Sequence, residues 1–229
     1  MPTKSERLFD LYCKLRGYAS EPIATGPGQT PDRLIATPRG SVVAEIKELT
    51  ANDDDLRQLR ELQERRFTIG GGTPGARVFE KMRSAAPQLK AQAGRNIPYV
   101  LVLFDNIAGG GWRIGGKYLD SSMIDFGMYG LQTVLLARES PHPEARLVSV
   151  GSGRGGRRQM SEDERVYISA VQVMSESPGV DSEPFVITYH NCFAAIPLPR
   201  DIFRGQLDRH FAKPSHPAES PQLWDEVTA

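Results

Sequence analysis

Asp32, Glu45 and Lys47 are the residues whose types and spacing could do chemistry, because two carboxylates and an ammonium group occur in one short stretch. Between them, TPRG at residues 37–40 suits a type I turn, with Pro at the second position and Gly at the fourth. A hairpin about this turn predicts that Asp32 lies directly opposite Glu45, with their Cβ atoms about 4.5 to 5.5 Å apart. Lys47 should project from the same face, roughly 6.6 Å further along the strand.

Two facing carboxylates repel each other unless a cation lies between them. Mg²⁺ is typically held by one or two carboxylates together with waters and phosphate oxygens, so the pair is a candidate metal site. The alternative is a half-exposed hairpin with solvated charges. That alternative is weakened because Leu34 and Val43 make the charged face partly apolar. A strand that is apolar on both faces is typical of the centre of a sheet covered by helices, and the second face here consists of Ile35, Val42, Ala44 and Ile46.

The order of Pro31, Asp32, a hairpin, Glu45 and Lys47 resembles the signature of the PD-(D/E)XK nuclease superfamily. The resemblance implies an α/β fold with a restriction-endonuclease-like core, a central mixed β-sheet flanked by helices, and here additional C-terminal strands. It also implies metal-dependent hydrolysis of phosphodiester bonds, with DNA as the expected substrate, RNA not excluded, and endonuclease rather than exonuclease action. Asp32, Glu45 and the Ile46 carbonyl would hold Mg²⁺, for which Mn²⁺ could substitute. Lys47 would orient the attacking water or stabilise the transition state.

A helix that would flank this site is predicted over residues 5–18, SERLFDLYCKLRGY, with Ser5 as its N-cap and Gly17 as its stop. Superfamily members often open with such a helix, whose acidic residue turns toward the metal, and the resemblance gives that catalytic role to Glu6. A compatible alternative is that Glu6 is a first-turn acid that suits the helix dipole. The predicted buried stripe consists of Leu8, Leu11, Tyr12 and Leu15.

After the motif, a helix is predicted over residues 76–93 and a buried strand over 98–105. In several branches of the superfamily this helix adds a Gln or a basic residue to the catalytic site, and Gln88 is the candidate. Pro87 predicts a kink or a restart beside it. Between the hairpin and this helix, Asn52 is predicted to cap a further helix with three aspartates in its first turn. The alternatives to Gln88 are Gln92, Lys81 and Arg83.

Composition predicts one globular domain over residues 1–212, because the chain has 229 residues, of which 39% are hydrophobic and 24% charged. Residues 213–229 are rich in proline and polar residues and are expected to form a loosely ordered tail. No apolar run is long enough for a membrane span, and the N-terminus lacks the hydrophobic region of a signal peptide. A cytoplasmic location without a membrane partner is therefore expected, and Cys13 and Cys192 are expected to be packing residues rather than a disulfide.

Formal net charge is zero, which excludes a strongly basic nucleic-acid-binding domain and leaves the attraction of DNA to local patches. Arg154, Arg157 and Arg158 lie in the glycine-rich stretch GSGRGGRRQ and are the candidates for phosphate contact; the alternative is a solvated loop. GWRIGGK at residues 111–117 has the spacing of a P-loop, but Tyr118 stands where Ser or Thr should bind Mg²⁺, so an NTPase is not expected.

Strands rich in β-branched and aromatic residues are predicted over residues 164–173 and 185–198. His190 and Cys192 alternate on one face there, but two ligands make a poor zinc site, so His190 is expected to have a buried structural role. Two further hypotheses stay open. One is a nuclease-fold protein that binds nucleic acid or a partner without cutting, and the other is a structural or interaction module in which Asp32 and Glu45 would lie apart in space. The resemblance also leaves a homodimer open, since many superfamily members act as dimers.

Overall fold

The computed structural model describes residues 2–24, 30–65, 75–92, 94–106, 119–138, 147–155, 159–177, 183–213 and 224–228. In chain order, the helices and strands of these ranges are α1 (Lys4–Leu15), β1 (Ala19–Pro22), β2 (Arg33–Thr37), β3 (Gly40–Thr50), α2 (Asp53–Arg65), α3 (Ala76–Lys90), β4 (Tyr99–Asn106), α4 (Ser121–Tyr129), β5 (Leu131–Arg138), β6 (Leu147–Gly155), β7 (Ala170–Glu176), β8 (Pro184–His190), β9 (Arg209–Ala212) and β10 (Asp225–Glu226).

Eight of these strands form one mixed sheet, in the order β1-β2-β3-β4-β7-β8-β9-β10, while β5 and β6 pair separately as an antiparallel hairpin. The central strands β3, β4 and β7 are parallel to one another, and β2 and β8 pair antiparallel with the strands at either side. Parallel neighbours need a crossover connection, and α3 lies in the connection between β3 and β4. The prediction of an α/β fold with a mixed sheet flanked by helices and additional C-terminal strands is confirmed at this level.

Helix α1 covers one face of the sheet and buries Phe9, Tyr12 and Cys13 completely. Its contacts there include Ala44 and Ile46 of β3 together with β4 residues and the segment 198–203. The predicted stripe was wrong for Leu11 and Leu15, which are 41% and 43% exposed, whereas Tyr12 is buried and Leu8 is partly buried against the same cluster. Both stripes have helical spacing, and the one that the structure buries includes Phe9 and Tyr12, whose rings stack with their centroids 6.1 Å apart.

The start of α1 also differs from the prediction. Thr3, not Ser5, is the N-cap: its side chain accepts from the Glu6 backbone N–H, and the Glu6 carboxylate accepts from the Thr3 N–H at 2.6 Å. This reciprocal pair is a capping box, which needs an acid three residues after the cap and therefore selects Thr3 over Ser5. Gly17 follows the helix with a φ of 72°, as expected for a glycine that ends a helix.

Helices α3 and α4 cover the opposite face, where α3 buries Val78, Met82, Ala85 and Leu89 against the sheet. Helix α3 runs through Pro87 without ending, although the proline cannot donate a backbone hydrogen bond. The helix that precedes it, α2, begins as predicted, because the Asn52 side chain accepts from the Asp55 N–H at 2.8 Å. The predicted end of α3 at residue 93 was too late, since the helix ends at Lys90.

The C-terminal strands extend the sheet beyond β7, and His190 at the end of β8 is 8% exposed. Its Nε2 lies 3.0 Å from Nδ1 of His210, which agrees with the expected structural role. From the stretch predicted as a tail, Lys213 forms a buried ion pair with Asp125 at 2.6 Å and Trp224 packs against Tyr189. Residues 214–223 lie outside the described ranges. The helices of the described ranges include none that is long and apolar enough to cross a membrane.

Candidate active site

The β2–β3 hairpin has the register that the turn predicts, from Thr37 opposite Gly40 to Arg33 opposite Ala44. One step further, the same register sets Asp32 against Glu45. Asp32 lies just before β2, and its Oδ2 accepts a hydrogen bond from the Ile46 backbone N–H at 2.7 Å. The hairpin therefore holds the Asp32 carboxylate against β3, beside Glu45.

Glu45 is completely buried, with 0% of its surface exposed. Neither of its carboxylate oxygens has a well-formed hydrogen bond to a group in the described part of the chain. The Lys47 Nζ lies 2.6 Å from Oε1, so an ion pair compensates the buried charge. Burying an ionised carboxylate is costly, so Glu45 needs this ammonium, or another cation at the same place, to remain charged.

Titration of the two carboxyl groups reflects this environment. Burial raises the pKa of Glu45 to about 7, Lys47 opposes that rise, and the negative charge of Asp32 adds to it. Burial also raises the pKa of Asp32, partly offset by the hydrogen bond from the Ile46 N–H, with the charge of Glu6 as a further raising cause. Simultaneous ionisation of both carboxyl groups is therefore unfavourable near neutral pH, and a proton or a bound cation stabilises the pair.

Helix α3 brings Gln88 to the hairpin. The Lys47 Nζ donates to Gln88 Oε1 at 2.9 Å, so the ammonium contacts both Glu45 and Gln88. Gln92, one turn later, lies past the end of α3 at Lys90. Of the candidates on this helix, Gln88 is therefore the one with a hydrogen bond to the motif.

The two basic alternatives on α3 differ in position. Burial lowers the pKa of Lys81, and the charges of Lys47 and Arg77 lower it further, so Lys81 lies within electrostatic reach of the motif lysine. Arg83 instead pairs with Glu80 and lines a separate groove beside Phe79. Lys81 adds positive charge near the site, whereas Arg83 points elsewhere.

Glu6 lies at the edge of the site rather than between Asp32 and Glu45. Its Oε2 is held by the helix cap at Thr3, and its Oε1 lies 3.6 Å from Nη1 of Arg33. Arg33 is 8% exposed and also donates two hydrogen bonds to the Asp10 carboxylate, at 2.9 and 3.0 Å. Glu6 is thus an acid in the first turn of α1, as the alternative interpretation predicts, and its negative charge also raises the pKa of Asp32.

Arg33 is the residue of this region that the sequence interpretation missed. It follows Asp32 directly and points to the other face of the hairpin, toward α1. The signal in the sequence is the two-residue period of the strand, which places Arg33 on the same face as Ile35. A charged residue on a face that a helix covers needs an acidic partner. Asp10 of α1 supplies that partner.

The donor set at the hairpin fits a hard divalent cation. Two carboxylates and the Ile46 carbonyl are all oxygen ligands, and a metal on Glu45 would have to displace the Lys47 ammonium. In the described ranges there is no cluster of three or more His, Cys, Asp or Glu side chains with ligand spacing. A cation here would therefore take water or substrate oxygens as its remaining ligands, as Mg²⁺ commonly does.

The side chains predicted to contact phosphate lie outside the described residues. Arg154 lies in β6, but its side chain is outside the described residues, and so are Arg157 and Arg158 in full. The segment GWRIGGK at 111–117 is outside them as well.

No protein-family model, curated protein or solved structure matches this chain.

Proposed function

We propose that this protein is a metal-dependent nuclease with a restriction-endonuclease-like core that hydrolyses phosphodiester bonds in DNA. The observation that carries the proposal is Glu45, which is fully buried beside Asp32, 2.6 Å from the Lys47 ammonium and without a well-formed hydrogen bond to another group of the described ranges. The order of elements supports it: a helix, a hairpin with the motif, a crossover helix and a parallel strand occur in the arrangement that the superfamily resemblance implies.

Each residue of the site has a distinct part in the proposed reaction. Asp32, Glu45 and the Ile46 carbonyl would hold one or two Mg²⁺ ions, which lower the pKa of a bound water and offset charge on the scissile phosphate. The Ile46 N–H holds Asp32 in place through its hydrogen bond to Oδ2. Lys47, 23% exposed, can reach a phosphate oxygen or orient the attacking water.

Positive charge near the motif supports a phosphate-bearing substrate. Lys81 of α3 lies close enough to Lys47 and to Arg77 for both of their charges to lower its pKa. Lysines and arginines around a buried acidic pair would attract a polyanion toward the metal. The formal net charge of zero means that this attraction is local.

The test is a cleavage assay on supercoiled, linear and branched DNA and on RNA, each with Mg²⁺, Mn²⁺ or EDTA. We expect cleavage only with metal, and a loss of about 100-fold or more in rate for Lys47→Ala. Asp32→Asn keeps an oxygen to accept the Ile46 N–H and should fold, yet lose activity to a similar extent. Lys14→Ala is the control, because Lys14 is an exposed lysine of α1.

The cleavage products distinguish an endonuclease from an exonuclease. Nicking or linearisation of supercoiled DNA indicates an endonuclease, and degradation of linear DNA alone indicates an exonuclease. Cleavage in EDTA, or cleavage undiminished by Lys47→Ala, contradicts the mechanism.

A nucleic-acid-binding protein without catalysis is the second candidate. It is favoured by the direct Lys47–Glu45 ion pair, which compensates the buried charge without a metal. Retention of labelled DNA by the wild-type protein, without cleavage under any metal condition, would support this function instead.

A further inference from the structure

Lys47 has two partners that belong to different elements. Its Nζ lies 2.6 Å from Oε1 of Glu45 on β3 and donates to Oε1 of Gln88 on α3 at 2.9 Å. Within the described ranges, Lys47 is the cationic residue that lies within ion-pair distance of Glu45. One partner is a buried carboxylate and the other is a neutral amide.

A divalent cation on Glu45 would compete directly with this ammonium. Mg²⁺ binds carboxylate oxygens at about 2.0 to 2.1 Å, so an ion on Glu45 would be within a few ångströms of Nζ. Like charges at such a distance in a buried environment repel strongly. The ammonium and the metal therefore exclude each other from close contact with the same carboxylate.

Gln88 can hold the displaced ammonium because its amide oxygen carries no charge to attract the metal. Its position on α3 is well supported, since Leu89 and Ala85 beside it are fully buried. The Ala86 carbonyl, also close by, accepts a hydrogen bond from the Tyr167 hydroxyl at 3.0 Å. A fixed acceptor would keep Lys47 beside the site rather than letting it move into solvent.

We propose, on the premise of the proposed nuclease function, that Lys47 takes the place of the divalent cation at Glu45 in the metal-free protein. When the metal binds, Gln88 takes over the Lys47 ammonium. Gln88 is then a positioning residue that acts through Lys47. Its hydrogen bond lowers the free-energy cost of moving the Lys47 ammonium away from Glu45, and it keeps the ammonium facing the phosphate. Metal affinity is set by this exchange as well as by the carboxylates.

The exchange is tested by calorimetric titration of Mn²⁺ into metal-stripped full-length protein. Lys47→Met removes the competitor, so the dissociation constant should fall by about tenfold or more. Gln88→Leu removes the alternative acceptor, so metal binding should weaken by about tenfold. The control is Gln92→Leu, the same change one turn further along the chain, and it should bind Mn²⁺ as the wild type does.

A double variant isolates the route through Lys47. If Gln88 acts only by holding that ammonium, Lys47→Met with Gln88→Leu should have the affinity of Lys47→Met alone. Circular dichroism and urea unfolding establish that each variant is folded. Lys47→Gln, which keeps a polar side chain, repeats the measurement if Lys47→Met does not fold.

The two proposals fail in different ways. If neither the wild type nor the Lys47 variants bind Mn²⁺, both the exchange and the metal-dependent nuclease are overturned. If the wild type binds Mn²⁺ and cuts DNA while the Lys47 and Gln88 variants keep its affinity, the exchange alone is wrong. Mn²⁺ binding by Lys47→Met when the wild type binds none would support the exchange.

Discussion

Replacing Glu45 with glutamine should make the metal-free protein more stable at alkaline pH, although it removes a residue that we place at the centre of the site. Glutamine has nearly the shape of glutamate and no charge to bury. Lys47 would not be left isolated by the change, because it keeps its hydrogen bond to Gln88 and is partly exposed. The variant thus mimics the protonated form of Glu45.

The magnitude follows from the pKa of the buried carboxyl, which rises from 4.5 to about 7 on folding. Because the folded-state pKa lies above the unfolded value, the folded protein binds this proton more tightly. The resulting stability is fully present below pH 4.5 and is lost as the pH rises through about 7. At about 1.4 kcal/mol per pH unit, ionisation of Glu45 lowers the free energy of unfolding by about 3 kcal/mol.

Urea unfolding of the wild type and Glu45→Gln at pH 4.5 and pH 8.5, in EDTA, measures this difference. We expect similar stabilities at the acidic pH and a variant that is more stable by up to about 3 kcal/mol at the alkaline pH. A bound metal should stabilise only the wild type, by about 2.7 kcal/mol at a hundredfold excess over its dissociation constant. A difference between the two proteins that does not change with pH would refute the inference that burial makes the ionisation of Glu45 unfavourable.

Two further predictions concern the packing and the acid stability of the fold. Gly127→Ala in α4 should lower the free energy of unfolding by about 1 to 2 kcal/mol, because an added Cβ would lie 2.8 Å from the nearest side-chain carbon. Gly94→Ala, where nothing lies within 4 Å, should stay within about 0.5 kcal/mol of the wild type, and equal effects in urea unfolding would contradict the packing reason. Burial lowers the pKa of His190 to about 3 and that of His210 to about 4, so stability should fall as the pH drops below 6.5, by at most about 3 kcal/mol per pH unit. This slope is best measured in the Glu45→Gln background, where the opposite contribution of Glu45 is absent, and its persistence after both histidines are changed to glutamine would exclude them as the cause.

The leading helix shows where sequence reasoning reached its limit. The helix was predicted from its spacing, but the leucine stripe was chosen over the face that contains Phe9 and Cys13, which is the buried one. Periodicity identifies a helix and leaves its rotation about its own axis open when two faces are apolar. The face of α1 that packs on the sheet also determines where Glu6 points, and therefore its ion pair with Arg33.

Helix α3 shows the same division within the candidate site. Gln88, Gln92, Lys81 and Arg83 were all compatible with the sequence pattern. Packing of Val78 and other apolar residues against the sheet determines which of these polar side chains turns toward β3. The structure brings Gln88 to Lys47 and leaves Arg83 in a separate groove.

The sequence alone determined the local part of the site: a turn at residues 37–40 and the two-residue period of a strand place Asp32 against Glu45, with Lys47 on the same face. These relations hold within one hairpin, where each neighbour follows from backbone geometry. Only the tertiary structure decided the complete burial of Glu45 and the contact between Lys47 and Gln88. Both depend on how a distant helix packs on the sheet, which is set by the fit of many apolar side chains at once and not by any local pattern.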